Sequence, residues 1–282
     1  MGTAEVLRID RGDTHVAGDR YSNPGRPLII LSHGGGQTRH SWRGAAQRLH
    51  ALGFETISLD LRGHGDSGWP EPEGYHSDRF ADDLLAVAGR FGMGRKVGLV
   101  GASFGGLMSL FAGGHQAGSA IDAIVLVDVV PRVEAEGAGR IRNFMLANSE
   151  AGFATLEEAS DAIADFRGAP RSGETAGLER NLRRRDNGRW YWHWDPRFLH
   201  SVSTPRGRQD RIEAAIARYG GPLLLLRGVT SDVVGPDGVA ALRALAPHME
   251  YLDVENAGHM IVNDKNDAFI AAAAEFLTRQ LA

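Results

Sequence analysis

The sequence predicts an α/β protein with a mostly parallel, doubly wound sheet. Six short apolar runs recur along the chain, and helix-length segments separate most of them. Most of these runs are continuously apolar rather than alternating, which is typical of strands buried on both faces of a parallel sheet. Alternation of such strands with helices favours βαβ units, and therefore helices on both faces of the sheet.

The predicted strands can be read directly from the sequence. They lie in RPLIILSHG, FETISLDL, KVGLVGAS, IDAIVLVDVV, GPLLLLRG and MEYLDVENAGH, which begin at Arg26, Phe54, Lys96, Ile121, Gly221 and Met249. Three segments have their apolar residues spaced as in a helix: RHSWRGAAQRLHALG, DRFADDLLAVAGRFG and FGGLMSLFAGG. Gly53 follows the first of these, and a glycine at that point is a helix stop signal.

One stretch interrupts the pattern. Between Pro131 and about Asp210 there is no strong buried-strand run, and the segments are alanine-rich, polar, or rich in arginine and aromatic residues. We therefore predict a mainly helical insertion over residues 131–210, between core segments 1–130 and 211–282.

The composition of the chain disfavours several classes of partner and binding site. The chain has 282 residues, no cysteine and a formal net charge of −4. That charge argues against nucleic acid or an anionic membrane as the main partner, and the missing cysteines exclude disulfides and thiolate metal sites. No run approaches the roughly 18 apolar residues of a membrane span, and the N-terminal segment MGTAEVLRIDRGDTH lacks a secretory apolar region. We expect a cytoplasmic protein, and the sequence leaves a homo-oligomer open.

A glycine-rich stretch surrounds one serine. In KVGLVGASFGGLMSLFAGG, residues 101–105 form the pattern G-x-S-x-G where a predicted strand gives way to a helix. Such a serine lies on a sharp, strained turn, and its hydroxyl stands clear of the sheet. A serine that merely caps its helix is the alternative. The other motifs favour Ser103 as a nucleophile.

A second glycine-rich segment supports this interpretation. LSHGGGQTRHSW begins at Leu31 and runs from a predicted strand into three glycines. We predict that the backbone amides of Gly35 and Phe104 form an oxyanion hole for acyl transfer. A phosphate-binding loop is disfavoured because no Gly-Lys-Ser/Thr follows. His33 in this segment is interpreted as structural.

A base and an acid would complete a catalytic triad with Ser103. His259, in VENAGHM, follows the last predicted strand and is the predicted general base. Asp232, in LLLLRGVTSDVV, is the preferred acid to orient the imidazole, with Asp128 at the end of an earlier strand as the competing candidate. The order serine, aspartate, histidine is the α/β-hydrolase order.

These motifs together resemble the α/β-hydrolase superfamily. They are HGGG with Trp42 downstream, DLRGHGDS from Asp60, GASFGG, RGVTSD and AGHM, and they extend over nearly the whole chain. The likeness is to the cap-bearing branch of esterases, lactonases, C–C hydrolases and cofactor-free haloperoxidase-like enzymes. It implies that the insertion is a cap over the pocket. In DLRGHGDS, Asp60, Arg62 and His64 are expected to fix a turn after a strand.

The identity of the nucleophile separates branches of that family. Epoxide hydrolases and haloalkane dehalogenases carry aspartate where Ser103 stands here, because they displace a group at saturated carbon. A serine attacks an acyl carbonyl instead. Ala102 stands where the hormone-sensitive-lipase branch has aspartate, which disfavours that branch.

Aromatic residues cluster in the predicted cap. GRWYWHWDPRF contains Trp190, Trp192, His193 and Trp194, which could line an apolar acyl or aryl pocket. The alternative is that these side chains form the small core of the cap itself.

The sequence thus predicts a serine hydrolase for a small apolar or aromatic ester or lactone. Water is the second substrate, and no cofactor or metal is required. Two alternatives stay open: a C–C bond hydrolase acting on a vinylogous diketone, and a hydrolase-derived ligand sensor. A sensor would bind its ligand with little or no turnover.

Overall fold

A central sheet organises the molecule. The computed structural model describes residues 3–115, 120–168, 175–199, 205–259 and 267–281. Its strands are β1 (Glu5–Asp10), β2 (His15–Tyr21), β3 (Leu28–Ser32), β4 (Glu55–Leu59), β5 (Val97–Ala102), β6 (Ala123–Val127), β7 (Leu182–Arg184), β8 (Trp190–Trp192), β9 (Leu223–Gly228) and β10 (Glu250–Val254). Eight of them form one sheet in the order β1-β2-β4-β3-β5-β6-β9-β10. β2 pairs antiparallel with β1 and β4, whereas all other neighbours in this sheet are parallel.

Helices cover both faces of the sheet. They are α1 (Arg43–Ala51), α2 (Ser77–Phe91), α3 (Phe104–Gly113), α4 (Ala135–Leu146), α5 (Leu156–Arg167), α6 (Pro205–Arg218), α7 (Pro236–Leu245) and α8 (Asp267–Leu281). Apolar side chains of α2 and α3 belong to one core cluster, and those of α1 and α8 belong to another. No helix in the described ranges is long and apolar enough to cross a membrane.

The alternation of side chains along β3 separates the two cores. Leu28 and Ile30 lie in the first cluster, whereas Ile29 and Leu31 lie in the second, and all four are 0% exposed. Successive side chains of a strand point to opposite faces, so a strand buried on both faces needs an unbroken apolar run. This confirms the α/β class with a doubly wound, mostly parallel sheet.

The six predicted strand segments contain β3, β4, β5, β6, β9 and β10. The antiparallel pair β1 and β2 was not predicted. It forms one edge of the sheet, and Val6 on β1 is 73% exposed. A half-exposed edge hairpin lacks the continuous apolar run on which the other predictions rest.

The predicted insertion contains α4 and α5, and also a feature that the sequence did not indicate. β7 and β8 form a two-stranded antiparallel ribbon, between short 3₁₀ helices at Thr175–Arg180 and Pro196–Leu199. α6 begins at Pro205, inside the predicted insertion, and packs against α3 of the core.

The parallel arrangement positions the candidate site. The carboxyl ends of β3, β5, β6, β9 and β10 lie at the same edge of the sheet. Ligands of open α/β sheets bind at this edge. The segments that follow these strands carry Gly35, Ser103, Asp128, Asp232 and His259.

Candidate active site

Ser103 occupies a strained turn between β5 and α3. Its backbone has φ 47° and ψ −116°, a conformation that residues with a side chain rarely adopt. A Cβ on Gly105 would lie 2.4 Å from the backbone oxygen of Ser32, and one on Gly101 would lie 2.5 Å from the backbone nitrogen of Gly106. The glycines of the motif therefore allow β3, β5 and α3 to approach closely around the serine.

Ser103, His259 and Asp128 form one hydrogen-bonded chain. The distance from Ser103 Oγ to His259 Nε2 is 3.1 Å, and His259 Nδ1 donates to Asp128 Oδ2 at 2.7 Å. The Asp128 side chain is fully buried, and the His259 side chain is 10% exposed. Because Nδ1 carries the proton donated to the carboxylate, Nε2 is left as the acceptor that faces the serine hydroxyl.

The structure does not place Asp232 beside His259, so the prediction that Asp232 orients the imidazole is wrong. Asp232 Oδ2 instead pairs with Nη2 of Arg140 on α4 at 2.6 Å, and the two side chains are 42% and 47% exposed. β6 lies directly beside β5, whereas β9 lies one strand further away. The turn after β9 then directs Asp232 towards α4, and Asp128, the competing candidate, contacts His259.

The Asp128 carboxylate accepts two further hydrogen bonds. The backbone N–H of Gly228 donates to Oδ1 at 3.0 Å, and the hydroxyl of Ser231 donates to Oδ2 at 2.6 Å. Three donors therefore face a fully buried carboxylate. Neither Gly228 nor Ser231 was singled out from the sequence, because no motif marks a residue that contacts only the acid.

The glycine loop, residues 34–37, lies against the serine. A Cβ built on Gly34 would be 3.5 Å from Cβ of Ser103, and one built on Gly35 would be 3.8 Å from Cβ of Phe104. In the described part of the chain, no acceptor is found for the amides of Gly35 and Phe104. Both predicted oxyanion residues therefore border the same space beside Ser103.

Two buried histidines hold the glycine loop. His33 Nδ1 donates to the carbonyl of Gly34 at 2.8 Å, while its Nε2 accepts from the backbone of Leu61 at 3.0 Å. His64 Nε2 accepts from the amide of Gly36 at 3.2 Å. Burial lowers the pKa of His33 to about 4 and, with repulsion from His33, that of His64 to about 3. Both rings are neutral at neutral pH, and this neutrality leaves Nε2 of each able to accept.

The DLRGHGDS segment fixes a turn, as expected. The Asp60 carboxylate accepts from the backbone amides of Arg39 at 2.6 Å and Asp66 at 2.9 Å. Arg62, which is 1% exposed, forms a bidentate pair with Asp83 of α2 at 2.7 and 2.9 Å. These buried contacts hold the turn against α2 and against Arg39, which follows the glycine loop.

A cavity of about 650 Å³ opens over Ser103. Its walls combine the glycine loop and the residues around the serine with apolar side chains of the insertion. Those apolar side chains are Ile141, Phe144, Met145, Ile163, Phe166, Trp192, Trp194, Phe198 and Leu199. Among the residues that the structure describes, the charged groups at the cavity are the Arg140–Asp232 pair and Arg167.

The structure places two of the four predicted pocket residues at the cavity and two elsewhere. Trp192 and Trp194 line the cavity, but Trp190 and His193 do not. Trp190 exchanges backbone hydrogen bonds with Phe153 at 2.7 and 2.8 Å. His193 lines a separate polar cavity of about 440 Å³. The clustering of these residues in the sequence does not decide which of them face the cavity, because β8 ends at Trp192 and the chain direction changes there.

No cluster of three or more potential metal ligands is found in the described ranges of the chain. The candidate site consists of hydroxyl, imidazole, carboxylate and backbone amide groups. Such a set can activate a nucleophile and stabilise an oxyanion.

Comparisons with known proteins identify the family of the fold. A family model described as the alpha/beta hydrolase fold matches residues 27–265. An esterase of Mycobacterium tuberculosis is 29% identical over 274 residues, which cover 94% of this chain and 87% of the esterase. N-formylmaleamate deformylase of Pseudomonas putida is 29% identical over 93% of this chain and 92% of its own. The crystal structure of an E-2-(acetamidomethylene)succinate hydrolase superposes with a TM-score of 0.84 at 22% identity, covering 98% of this chain and 99% of that one.

Proposed function

Because the chain belongs to the α/β-hydrolase family and is a hydrolase, we propose that it cleaves a carboxylic ester or lactone through an acyl-enzyme on Ser103. The observation that carries the proposal is the hydrogen-bonded chain from Ser103 Oγ to His259 and on to Asp128. The glycine loop beside it offers two amides to a developing oxyanion.

Acylation uses each group in the chain. His259 Nε2 takes the proton from Ser103 Oγ as the oxygen attacks the substrate carbonyl, and the carbonyl oxygen becomes an oxyanion. Asp128 stabilises the imidazolium through the 2.7 Å contact at Nδ1. The imidazolium then gives its proton to the departing alkoxide, which leaves an ester bond between the acyl group and Ser103.

The oxyanion is stabilised by the amides of Gly35 and Phe104. Phe104 is the first residue of α3, so its amide also lies at the positive end of the helix dipole. A donor of this kind is worth about 3 kcal/mol of transition-state stabilisation.

Deacylation repeats the sequence with water. His259 Nε2 accepts a proton from a water molecule that attacks the acyl-enzyme, and it then returns that proton to Ser103 Oγ. The carboxylic acid is released and the serine hydroxyl is restored.

The apolar walls of the cavity support an apolar acyl or aryl group on the substrate. Each methylene buried in the cavity contributes about 0.8 kcal/mol of binding free energy. We therefore expect kcat/KM to rise with acyl chain length until the chain fills the cavity. The C–C hydrolase alternative needs a polar group to bind a substrate carboxylate. His193 is outside the cavity and Arg140 is paired with Asp232, which leaves Arg167, among the described wall residues, as the cation for such a carboxylate. The predominantly apolar walls give esters the stronger support.

A substrate panel tests the proposal. We would measure kcat and KM for p-nitrophenyl esters of increasing chain length, for lactones and for a vinylogous diketone. Ser103→Ala should lower kcat on the best ester by at least about 10³-fold. Ser149→Ala, which removes a serine hydroxyl bonded to Leu146 away from the cavity, is the matched control. Full activity of Ser103→Ala would overturn the proposal, and diketone turnover without ester turnover would favour the alternative. Ligand binding without any turnover would favour the sensor.

A further inference from the structure

A tight turn after β9 holds the Asp128 carboxylate at both of its oxygens. The acid turn, residues 228–231, is closed by a hydrogen bond from Ser231 N to Gly228 O at 2.9 Å. Its first residue donates a backbone N–H to Oδ1 of Asp128, and its fourth donates a hydroxyl to Oδ2. The two ends of a single turn therefore fix the plane of the carboxylate.

The orientation of the Ser231 hydroxyl follows from its own hydrogen bonds. Its oxygen accepts from the backbone N–H groups of Val233 at 3.2 Å and Val234 at 3.1 Å. A hydroxyl has two lone pairs and one hydrogen, so both acceptor positions are occupied. The hydrogen is left for Asp128 Oδ2, which lies 2.6 Å away.

Close packing holds the acid turn in place. A Cβ on Gly228 would lie 2.5 Å from the backbone oxygen of Ala257. The backbone N–H of Thr230 also donates to that oxygen, at 3.0 Å. Ala257 precedes His259 by two residues, so the same contacts connect the acid turn to the segment that carries the base.

We propose that Ser231 is a positioning residue that holds Asp128 for His259. The inference rests on the proposed serine hydrolase function. Asp128 Oδ2 receives both the Ser231 hydroxyl and His259 Nδ1–H. The Ser231 hydrogen bond spreads the negative charge of the carboxylate and limits how strongly that carboxylate stabilises the imidazolium. Ser231 does not line the cavity and its hydroxyl contacts Asp128, so we assign its effect on the reaction to that contact.

This role predicts a signed change in the pH profile. Without the Ser231 hydroxyl, the negative charge on Oδ2 is less dispersed, so the carboxylate stabilises the protonated imidazole more strongly. Among the described residues, the other charged groups at the cavity are Arg140, Asp232 and Arg167, and Ser231→Ala keeps all three charges. Ser231→Thr keeps the hydroxyl that accepts from Val233 and Val234, so it controls for movement of the neighbouring Asp232. The acid limb of the kcat/KM profile should therefore move to higher pH by about half a unit to one unit.

The experiment compares four proteins: the wild type, Ser231→Ala, Ser231→Thr and Ser231→Cys. Ser231→Ala should show the shifted acid limb. Because Asp128 is then no longer held at both oxygens, kcat on the plateau should also fall by about 3- to 10-fold, with KM changed by less than about twofold. Ser231→Thr keeps the hydroxyl and should restore the wild-type profile. The thiol of Ser231→Cys is a weaker donor and should give an intermediate midpoint. If Ser231→Ala does not fold, the midpoint of the acid limb in Ser231→Cys tests the proposal instead.

Two results separate this inference from the proposed function. A folded Ser231→Ala or Ser231→Cys variant with the wild-type pH profile, alongside an inactive Ser103→Ala, would overturn only the role of Ser231. Full activity of Ser103→Ala would instead overturn the serine mechanism itself. Ser149→Ala, outside the cavity, should keep the wild-type profile throughout.

Discussion

Asp128 Oδ2 lies 2.7 Å from His259 Nδ1, although 131 residues separate the two in the chain. Asp128 follows β6, and β6 pairs directly with β5, whose end carries Ser103. Adjacent strand ends therefore bring the serine and the carboxylate to the same edge of the sheet. The histidine reaches both from the segment after β10, two strands away from β6.

The identity of the acid can be tested by two matched substitutions. Asp128→Asn should lower kcat by about 10³- to 10⁴-fold, because an amide in that position favours the wrong tautomer of His259. Asp232→Asn removes the negative charge that pairs with Arg140 and should change kcat/KM by less than about tenfold, mainly through KM. Steady-state kinetics on the best ester measures both variants. A larger loss for Asp232→Asn would show that the predicted acid, and not Asp128, supports the base.

The glycines around the serine give a test of the strained turn. Gly105→Ala would place a Cβ 2.4 Å from the Ser32 backbone oxygen, so we expect lower stability together with a large loss of activity. Gly89→Ala is the control, because Gly89 lies on the exposed side of α2 with nothing within 4 Å of its added Cβ. That substitution should stabilise the protein by about 0.5–1 kcal/mol. Denaturant unfolding and ester kinetics together measure these effects, and normal activity in Gly105→Ala would contradict the packing argument.

The strands and the nucleophile were predictable because their signals are local. An unbroken apolar run such as LIIL in β3 is a direct consequence of burial on both faces, and the glycines around Ser103 are required by close backbone contacts. The β1–β2 hairpin and the β7–β8 ribbon are short or half exposed, so they carry no comparable run.

The acid could not be chosen from the sequence alone. Asp128 and Asp232 both follow buried strands, and the choice depends on strand order and on the direction of one turn. Arg140, which pairs with Asp232, lies 92 residues away in the chain, and no local pattern marks such a pair. The same holds for Trp190 and His193, whose positions depend on where β8 ends.

The two buried histidines predict a dependence of stability on pH. Their pKa values in the folded protein, about 4 for His33 and about 3 for His64, lie below the usual value of 6.5. Between pH 6.5 and the lower folded-state pKa values, the unfolded chain binds more protons than the folded one. The contribution of these histidines to the free energy of unfolding is therefore fully present above pH 6.5 and is lost as the pH falls. At pH 5 each histidine should lower the free energy of unfolding by about 2 kcal/mol relative to pH 7.

Urea unfolding at pH 7 and pH 5 measures this loss. His64→Gln keeps an acceptor for the Gly36 amide but removes the titrating group, so its stability should fall less between the two pH values. His50→Gln is the control, because His50 is only partly buried and contacts the carbonyl of Phe54 away from the glycine loop. An equal loss in the wild type and His64→Gln would show that His64 does not contribute.

The buried ion pair between Arg62 and Asp83 should be important for stability. The two side chains are 1% and 3% exposed, so Arg62→Met leaves a buried carboxylate with Arg11 as its remaining cation. We expect a loss of about 3–5 kcal/mol in the free energy of unfolding. Arg279→Met breaks an exposed pair with Glu250 and should leave the unfolding midpoint nearly unchanged. Similar midpoints for the two variants would contradict the role assigned to burial.

The central claim is that His259 activates Ser103 as a nucleophile. The most direct measurement is the intact mass of the protein after treatment with a serine-reactive fluorophosphonate, for the wild type, Ser103→Ala and His259→Ala. We predict one adduct on the wild type and none on either variant under the same conditions. An adduct that persists on Ser103→Ala, or a folded wild-type protein that is not labelled, would contradict the account.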